Sequence, residues 1–173
     1  MKLRLAVTDA CIFIDLYDLD LVNAFFQLEI EIHTTTSVYF ELYSEQQQIL
    51  KAYQSIDRLI IHNLKEEDFL QIQSEPYPKS LSETDKSVLY LANKLGACVL
   101  SSDKTVRNFA KNKDIEYHGM IWIFDMLVEL NILTKKEAAN KLKQLVDTNF
   151  IFQNNKPLVD EIQKRFKLWN SIR

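Results

Sequence analysis

Carboxylates follow the two most apolar segments of the chain. Asp9 comes directly after the run LRLAVT, and Asp103 follows the run ACVLSS; both runs are typical of buried strands. In open parallel sheets, ligands gather at the carboxyl ends of the strands, near the point where the strand order reverses. The later strand ends in Ser101, Ser102 and Asp103, and if these two strands are neighbours, the carboxylates of Asp9 and Asp103 converge on one place.

Two further acids lie near the starts of predicted helices, Glu41 in TTTSVYFELYSE and Asp85 in LSETDKS. Clustered carboxylates raise one another's pKa, and divalent cations among them keep such a cluster ionised. Carboxylate oxygens are hard ligands that suit Mg²⁺ or Mn²⁺. The ordered set of four acids therefore predicts a divalent-metal site.

Each acid also has a structural interpretation. Asp9 and Asp103 are placed to cap the helices that follow them. Asp85 lies three residues after Ser82, which is the spacing of a capping box. Glu41 stands in an apolar setting, where a half-buried acid with a satisfied partner is common. No single acid decides between these interpretations and a metal site.

The elements that must position these acids alternate along nearly the whole chain. Strands are predicted at 3–8, 30–34, 58–62, 97–102 and 115–118. Helices are predicted at 11–28 (as one or two), 37–55, 66–73, 82–96, 104–113, 121–130, 134–147 and 157–172. Strands separated by helices need crossover connections, which predicts an α/β fold with a mostly parallel twisted sheet flanked by helices.

Composition excludes several classes of protein. A chain of 173 residues suits one domain. Its 2 Gly and 3 Pro exclude long flexible linkers and a Gly-rich phosphate loop, and its 2 Cys exclude a disulfide scaffold. The net charge of −3 disfavours a protein that coats nucleic acid through overall charge, although it leaves room for an enzyme that touches a few phosphates.

The N-terminal segment predicts a cytoplasmic protein without a membrane partner. Its apolar run is short and leads to Asp9 instead of a small-residue cleavage site, which disfavours a signal peptide. No apolar run approaches the roughly 18 residues of a membrane-spanning helix.

Four segments, in this order, resemble the PIN-domain nucleases, the family that includes the VapC-type toxins. They span roughly residues 3–130 and read VTDACIFIDL, SVYFELYSE, LSETDKSVLYLANKLGACVLSSDKTVRNFA and IEYHGMIWIFDMLVE. Each segment is weak evidence alone, whereas the combination is fairly specific. The resemblance implies a PIN-like nuclease domain over 1–148, followed by a helical C-terminal extension at 149–173 that is not an independent domain.

The resemblance further implies a Mg²⁺- or Mn²⁺-dependent endoribonuclease that leaves 5′-phosphate and 3′-hydroxyl ends. Asp9, Glu41, Asp85 and Asp103 match the family's acidic quartet of catalytic metal ligands, and Ser102 matches a hydroxyl position before the last acid. Two cations about 3.5–4 Å apart would polarise a water and stabilise the leaving oxygen of a phosphodiester.

One position departs from the family pattern. Two residues after the first acid the family often has Ser, Thr or Asn, and this chain has Cys11. A thiol is a poorer partner than a hydroxyl for a hard cation or a phosphate. We therefore expect weaker support of Asp9 than in a typical member.

Partners follow partly from the residues and partly from the resemblance. Lys104, Arg107 and Lys111 lie on one face of a predicted helix, and we expect this face, Arg107 above all, to bind RNA phosphates. A solvated charged face is the alternative. The resemblance implies a small antitoxin protein and a homodimer as candidate partners of a toxin of a type II pair.

The apolar stripe near the N-terminus is predicted to be core, and a groove for a partner helix is its second interpretation. It comprises Ile12, Phe13, Leu16, Leu19, Phe25 and Phe26. The scattered His33, His62 and His118 lack the spacing of zinc ligands and are interpreted as packing or surface residues.

Two other functions compete with the nuclease. One is a non-catalytic PIN scaffold that binds RNA or protein. The other is a metal-dependent phosphatase of the haloacid-dehalogenase type, which needs a second Asp where this chain has Cys11.

Overall fold

Five strands form one sheet in the computed structural model, which describes residues 4–171. They are β1 (Arg4–Thr8), β2 (Ile30–Thr35), β3 (Leu59–His62), β4 (Cys98–Leu100) and β5 (Tyr117–His118). Their order is β3-β2-β1-β4-β5, and each pair of neighbours is parallel. The predicted α/β fold with a parallel sheet flanked by helices is confirmed.

Eleven helices accompany the sheet within residues 4–171. They are α1 (Ala10–Asp18), α2 (Val22–Phe26), α3 (Thr36–Glu41), α4 (Ser44–Ser55), α5 (Glu66–Ser74), α6 (Glu83–Leu95), α7 (Lys104–Asn112), α8 (Met120–Glu129), α9 (Lys135–Thr148), α10 (Ile151–Asn154) and α11 (Lys156–Asn170). The chain divides into two compact units. The first holds the residues up to Ile14 and Glu29–Met120, and the second holds Asp15–Leu28 and the residues from Ile121 onward.

The strand order explains which chain segments meet at the edge of the sheet. The chain runs outward from β1 to β2 and β3 on one side, whereas β4 and β5 lie on the other side of β1. Thr8 pairs with Leu100 at the carboxyl ends of β1 and β4. Both strands are buried to their ends, as expected of central strands covered on two faces. The order of strands therefore reverses between β1 and β4, which is where open α/β sheets bind ligands.

The helix predicted at 37–55 is two helices, because polar side chains satisfy the backbone at a break after Glu41. Leu42 and Tyr43 are extended. The Gln47 side-chain amide donates to the carbonyls of Tyr39 and Leu42 at the end of α3. The Gln46 side chain accepts from the Tyr43 N–H at the start of α4. A Gly or Pro would have marked this break in the sequence. The glutamines that form it fit a continuous helical pattern, so the sequence did not predict the break.

Other helix ends follow their sequence signals. Gly96 ends α6 in the left-handed conformation with φ of 63°, which a residue with a Cβ adopts only with strain. Thr134 and Glu137 form the predicted capping box of α9. The terminal helix α11 begins at Lys156, capped by Asn155, one residue before the predicted first residue Pro157.

The second unit is helical, and its core is apolar. Phe124, Phe152 and Ile162 are almost fully buried, and Trp169 packs beside Phe124. A salt bridge fixes α11 to α8, because the Arg165 guanidinium donates through two nitrogens to Asp125. The short helix α10 had no sequence signal of its own.

All six side chains of the N-terminal apolar stripe are buried, with at most 4% of any of them exposed. The stripe is therefore core, and the interpretation as an open groove for a partner helix is wrong. Across residues 4–171, no helix has both the length and the apolar character needed to cross a bilayer.

Candidate functional site

Asp9 lies at the switch between the two central strands. Its backbone N–H donates to the Leu100 carbonyl at the end of β4 (3.1 Å). Its Oδ1 accepts from the Ile12 N–H (3.3 Å), so the carboxylate also caps the first turn of α1. The side chain is 4% exposed. Burial raises the pKa of Asp9 from 3.8 to about 6, and the negative charge of Asp85 adds to that rise.

Cys11 makes the hydrogen bonds expected of a hydroxyl at its position. Its thiol donates to Asp9 Oδ1 (Sγ to Oδ1 2.8 Å), and its sulfur accepts from the Ser102 N–H (3.3 Å). Burial, followed by the charge of Asp9, holds the pKa of the thiol well above its usual value, so Cys11 stays a neutral donor. The thiol thereby links the end of β1 to the segment that follows β4.

Ser101 belongs to the same network, although sequence reasoning did not choose it as a site residue. Its hydroxyl accepts from the Asp103 N–H (3.1 Å) and lies 3.9 Å from Cys11 Sγ, and its presence beside Asp9 lowers the pKa of that carboxyl. Ser101 is fully buried. The sequence did contain a signal for Ser101. Successive side chains of an extended chain point to opposite faces, so Ser101 and its neighbour Ser102 are expected to face different sides.

Ser102 carries an unusual buried hydroxyl. Its Oγ is buried, and within residues 4–171 it has no hydrogen-bond partner. The Oγ1 of Thr8, which precedes Asp9, is likewise buried without a hydrogen-bond partner among these residues. A buried hydroxyl without a partner costs about 1–3 kcal/mol, so such groups call for a ligand or another explanation.

Asp103 and Asp85 both cap helices at this edge of the sheet. Asp103 Oδ1 accepts from the N–H groups of Thr105 and Val106 at the start of α7 (2.8 and 3.0 Å). Asp85 Oδ2 accepts from the Ser82 N–H (3.0 Å) in the capping box of α6. The structural interpretations of these acids are therefore correct, and each carboxylate keeps its other oxygen free of hydrogen bonds within the described chain.

Glu41 lies apart from this network. It is the last residue of α3, which follows the carboxyl end of β2, and its side chain is exposed. Its apolar neighbours Val38 and Leu42 turn into the core, whereas Phe40 is 73% exposed, as Glu41 itself is exposed. The sequence predicted a half-buried Glu41 near the start of a helix, whereas the structure has it exposed at the end of α3.

The donor chemistry suits a divalent cation. Carboxylate and hydroxyl oxygens of Asp9, Asp85, Asp103 and Ser102 are the ligand type that Mg²⁺ and Mn²⁺ prefer. Nowhere in residues 4–171 do three or more His, Cys, Asp or Glu side chains lie close enough together to hold an ion. The four-acid metal site thus stays a prediction for Asp9, Glu41, Asp85 and Asp103.

Arg107 has partners within the protein. Its guanidinium carbon lies 5.2 Å from the centre of the Tyr117 ring, which is a cation–π arrangement. It also passes so close to Gly119 that a Cβ there would stand 2.7 Å from Nη1. Lys104 and Lys111 on the same helix are exposed. The predicted basic face exists, with Arg107 held in place and the two lysines in solvent.

Two of the histidines that look scattered in the sequence meet in the fold. His33 Nδ1 lies 2.8 Å from His62 Nε2, and His33 Nε2 lies 2.8 Å from Glu31 Oε1. The cause is the pairing of β2 with β3, which sets Thr35 opposite His62. The interpretation of His33 as a packing residue is correct, since it is buried, but its polar partners could not be read from spacing along the chain.

Comparisons with known proteins bear on the family of the chain. The family described as DUF3368: PIN domain matches residues 5–168. No curated protein matches the chain. A solved structure of a PilT N-terminus domain protein from the hyperthermophilic archaeon Sulfolobus solfataricus P2 is 16% identical over 72% of this chain and 92% of that chain, with a TM-score of 0.44.

Proposed function

The chain belongs to the PIN-domain family, and on that premise we propose that it is a Mg²⁺- or Mn²⁺-dependent endoribonuclease. The observation that carries the proposal is the buried Asp9 at the switch between β1 and β4, with Asp85 close enough to raise its pKa. Burying a carboxylate is costly unless it is paired or binds a metal, and strongly perturbed acids cluster at functional sites. Asp9, Glu41, Asp85 and Asp103 are the proposed metal ligands.

The roles of the residues follow from their contacts. Cys11 and the Ile12 N–H fix the Asp9 carboxylate by hydrogen bonds, so its position is set before a ligand arrives. Ser102 offers its unpartnered hydroxyl to a non-bridging oxygen of the substrate phosphate. A divalent cation, when bound, supplies activation of a water and stabilisation of the charge that develops on the leaving oxygen.

An assay with labelled single-stranded RNA tests this function. We expect cleavage with Mg²⁺ or Mn²⁺, none with EDTA, and products that end in a 5′-phosphate. Parallel assays with a phosphomonoester and with RNA binding alone separate the alternatives. Hydrolysis of the monoester without RNA cleavage would identify a phosphatase.

A non-catalytic scaffold is the second candidate, and one observation favours it. Asp9, Asp85 and Asp103 all cap helices, and this role alone is a sufficient reason for their presence. RNA binding without cleavage, under the same metal conditions, would support the scaffold against the nuclease.

The toxin subtype and its partners are part of the proposal and rest on the resemblance to VapC-type proteins. A small antitoxin is the proposed protein partner, and a homodimer the proposed assembly. Sedimentation of the purified chain measures the assembly. Growth arrest on expression of the wild-type chain, relieved by an adjacent small gene product, tests the pairing.

The basic face of α7 gives a prediction on RNA affinity. Reversing two charges with Arg107→Glu and Lys111→Glu is expected to weaken binding of single-stranded RNA about tenfold at low salt and to reduce the salt dependence of binding. Fluorescence anisotropy in EDTA measures the affinity without cleavage.

The matched control for this prediction reverses two exposed lysines of the second unit, Lys135→Glu and Lys136→Glu, which changes the net charge equally. Because Arg107 packs on Tyr117, circular dichroism must show that the variant is folded. If the two double variants bind RNA with equal affinity, the basic face of α7 is a solvated helix surface and does not bind RNA.

A further inference from the structure

A cavity of about 280 Å³ opens in the first unit, away from the acids. It is lined by residues from the C-terminal halves of α5, α6 and α7 and from the segment after α5. Asn93 at its edge lies eight residues after Asp85 on α6, and Lys113 lies ten residues after Asp103. The separation of Asn93 from Asp85 along α6 is about 12 Å at 1.5 Å per residue. None of the four acids lines the cavity, so it is distinct from the carboxylate site.

The wall of the cavity is aromatic. The rings of Tyr77 and Phe109 pack with their centres 4.8 Å apart and their planes at 33°, and Lys113 Nζ lies over the Phe109 ring, 5.8 Å from its centre. Tyr77 is therefore the ring of this pair with a face left for a ligand. Tyr90 lines the cavity as well, and Leu89, with 1% of its surface exposed, forms part of its floor. Half-buried aromatic faces are stacking platforms for flat rings.

The rim of the cavity is polar and nearly neutral. Glu75 and Lys113 lie 3.9 Å apart and offset each other's charge, which disfavours a strongly anionic ligand such as a free phosphate. Gln71 and Asn93 contribute exposed carboxamides. The Tyr90 hydroxyl donates its proton to Asp68 Oδ1 (2.6 Å) and lies 3.0 Å from the Gln71 side-chain carboxamide.

We propose that this cavity binds a single nucleobase, with adenine the best match. A base supplies the flat face that the aromatic wall accepts and the donors and acceptors that two carboxamides bind. Asn93 has both its oxygen and its amino group to offer, and an Asn carboxamide pairs with the N6 and N7 edge of adenine. The volume lies just below the 300–1,000 Å³ of sites for larger ligands, which suits one base and not a dinucleotide.

The base has two chemical sources, a free nucleoside or an unpaired base in an RNA strand. The strand source deepens the proposed function, because a base held beside Asn93 would lie about 12 Å from Asp85 along α6. The free-nucleoside source is independent of that function, and the experiment separates the two.

Calorimetric titration of the full chain with adenosine and, separately, with a short single-stranded oligoadenylate in EDTA tests the proposal. Gln71→Ala and Asn93→Ala are each expected to weaken binding at least about threefold, because each removes one or two hydrogen bonds. Tyr77→Ala is expected to weaken it about tenfold or more by loss of stacking. The matched control is Gln73→Ala, an exposed glutamine on the same helix that does not line the cavity.

Each outcome either supports or overturns the proposal. Adenosine binding that the Gln71 and Asn93 variants weaken supports the proposal with a free nucleoside as source. Binding of oligoadenylate alone, weakened by the same variants, supports it with a strand as source. No binding of either probe, or binding that Gln71→Ala, Asn93→Ala and Gln73→Ala affect equally, overturns it. The exposed amide variants keep the test valid if Tyr77→Ala fails to fold, and none of the readouts requires cleavage.

Discussion

The Asp9→Asn variant is expected to lose RNA cleavage by about 1,000-fold or more while its fold becomes more stable. The loss follows because the amide cannot supply the negative charge that holds a divalent cation at the switch point. The geometry should persist, since the amide oxygen of Asn can accept from Cys11 and from the Ile12 N–H as Asp9 Oδ1 does. Initial cleavage rates in saturating Mn²⁺ measure the first effect.

The gain in stability follows from the raised pKa of Asp9. The folded protein holds the Asp9 proton up to about pH 6, whereas the unfolded chain releases it near 3.8. Ionisation therefore favours the unfolded chain, and the stability that Asp9 contributes below pH 3.8 is lost as the pH rises through 6. The ionisation of Asp9 lowers the free energy of unfolding by about 3 kcal/mol at pH 7 in metal-free protein. An asparagine does not ionise, so the variant does not lose this stability.

Urea unfolding in EDTA at several pH values measures this gain. The variant and the wild type should have similar free energies of unfolding near pH 4 and diverge towards pH 7, with the variant the more stable. Added Mg²⁺ or Mn²⁺ should reduce the difference, because an ion that binds only the folded wild type stabilises it. An Asp9→Asn variant that is inactive and also less stable at pH 7 would point to a structural role of the carboxylate.

Much of the fold was predictable because its signals are local. The apolar runs around Val7 and Val99 mark central strands, and Gly96 marks the end of a helix. The same holds for the edge on which Asp9 and Asp103 lie, since parallel strands bring their carboxyl ends together. The break after Glu41 was not predicted, because glutamine side chains hydrogen-bond the free backbone groups there and no sequence pattern marks such hydrogen bonds.

The remainder of the site depends on contacts between distant segments. Ser101 and Cys11 are ninety residues apart, and only the pairing of β1 with β4 makes them neighbours. The same is true of His33 and His62, which β2 and β3 bring together. Burial is also a property of the whole fold, and for this reason the exposed position of Glu41 contradicts what its apolar neighbours in the sequence indicate.

Substitutions of Asp103 separate its two roles, because asparagine caps a helix as well as aspartate does and alanine does not. Asp103→Asn should keep the N–H groups of Thr105 and Val106 satisfied, so its free energy of unfolding should stay within about 0.5 kcal/mol of the wild type. Asp103→Ala should lose about 1 kcal/mol. If the charge of Asp103 serves catalysis, both variants lose at least about 100-fold in RNA cleavage despite this difference in stability.

Thr134→Ala is the matched control, since it removes the N-cap of α9 in the second unit and should cost about the same stability without affecting cleavage. Capping alone makes the opposite prediction for Asp103, because Asp103→Asn would then cleave RNA at the wild-type rate. The comparison works because Oδ1 of Asp103 makes both capping bonds and leaves Oδ2 for a ligand. A substitution that keeps the cap but removes the charge therefore tests the ligand role of Asp103 by itself.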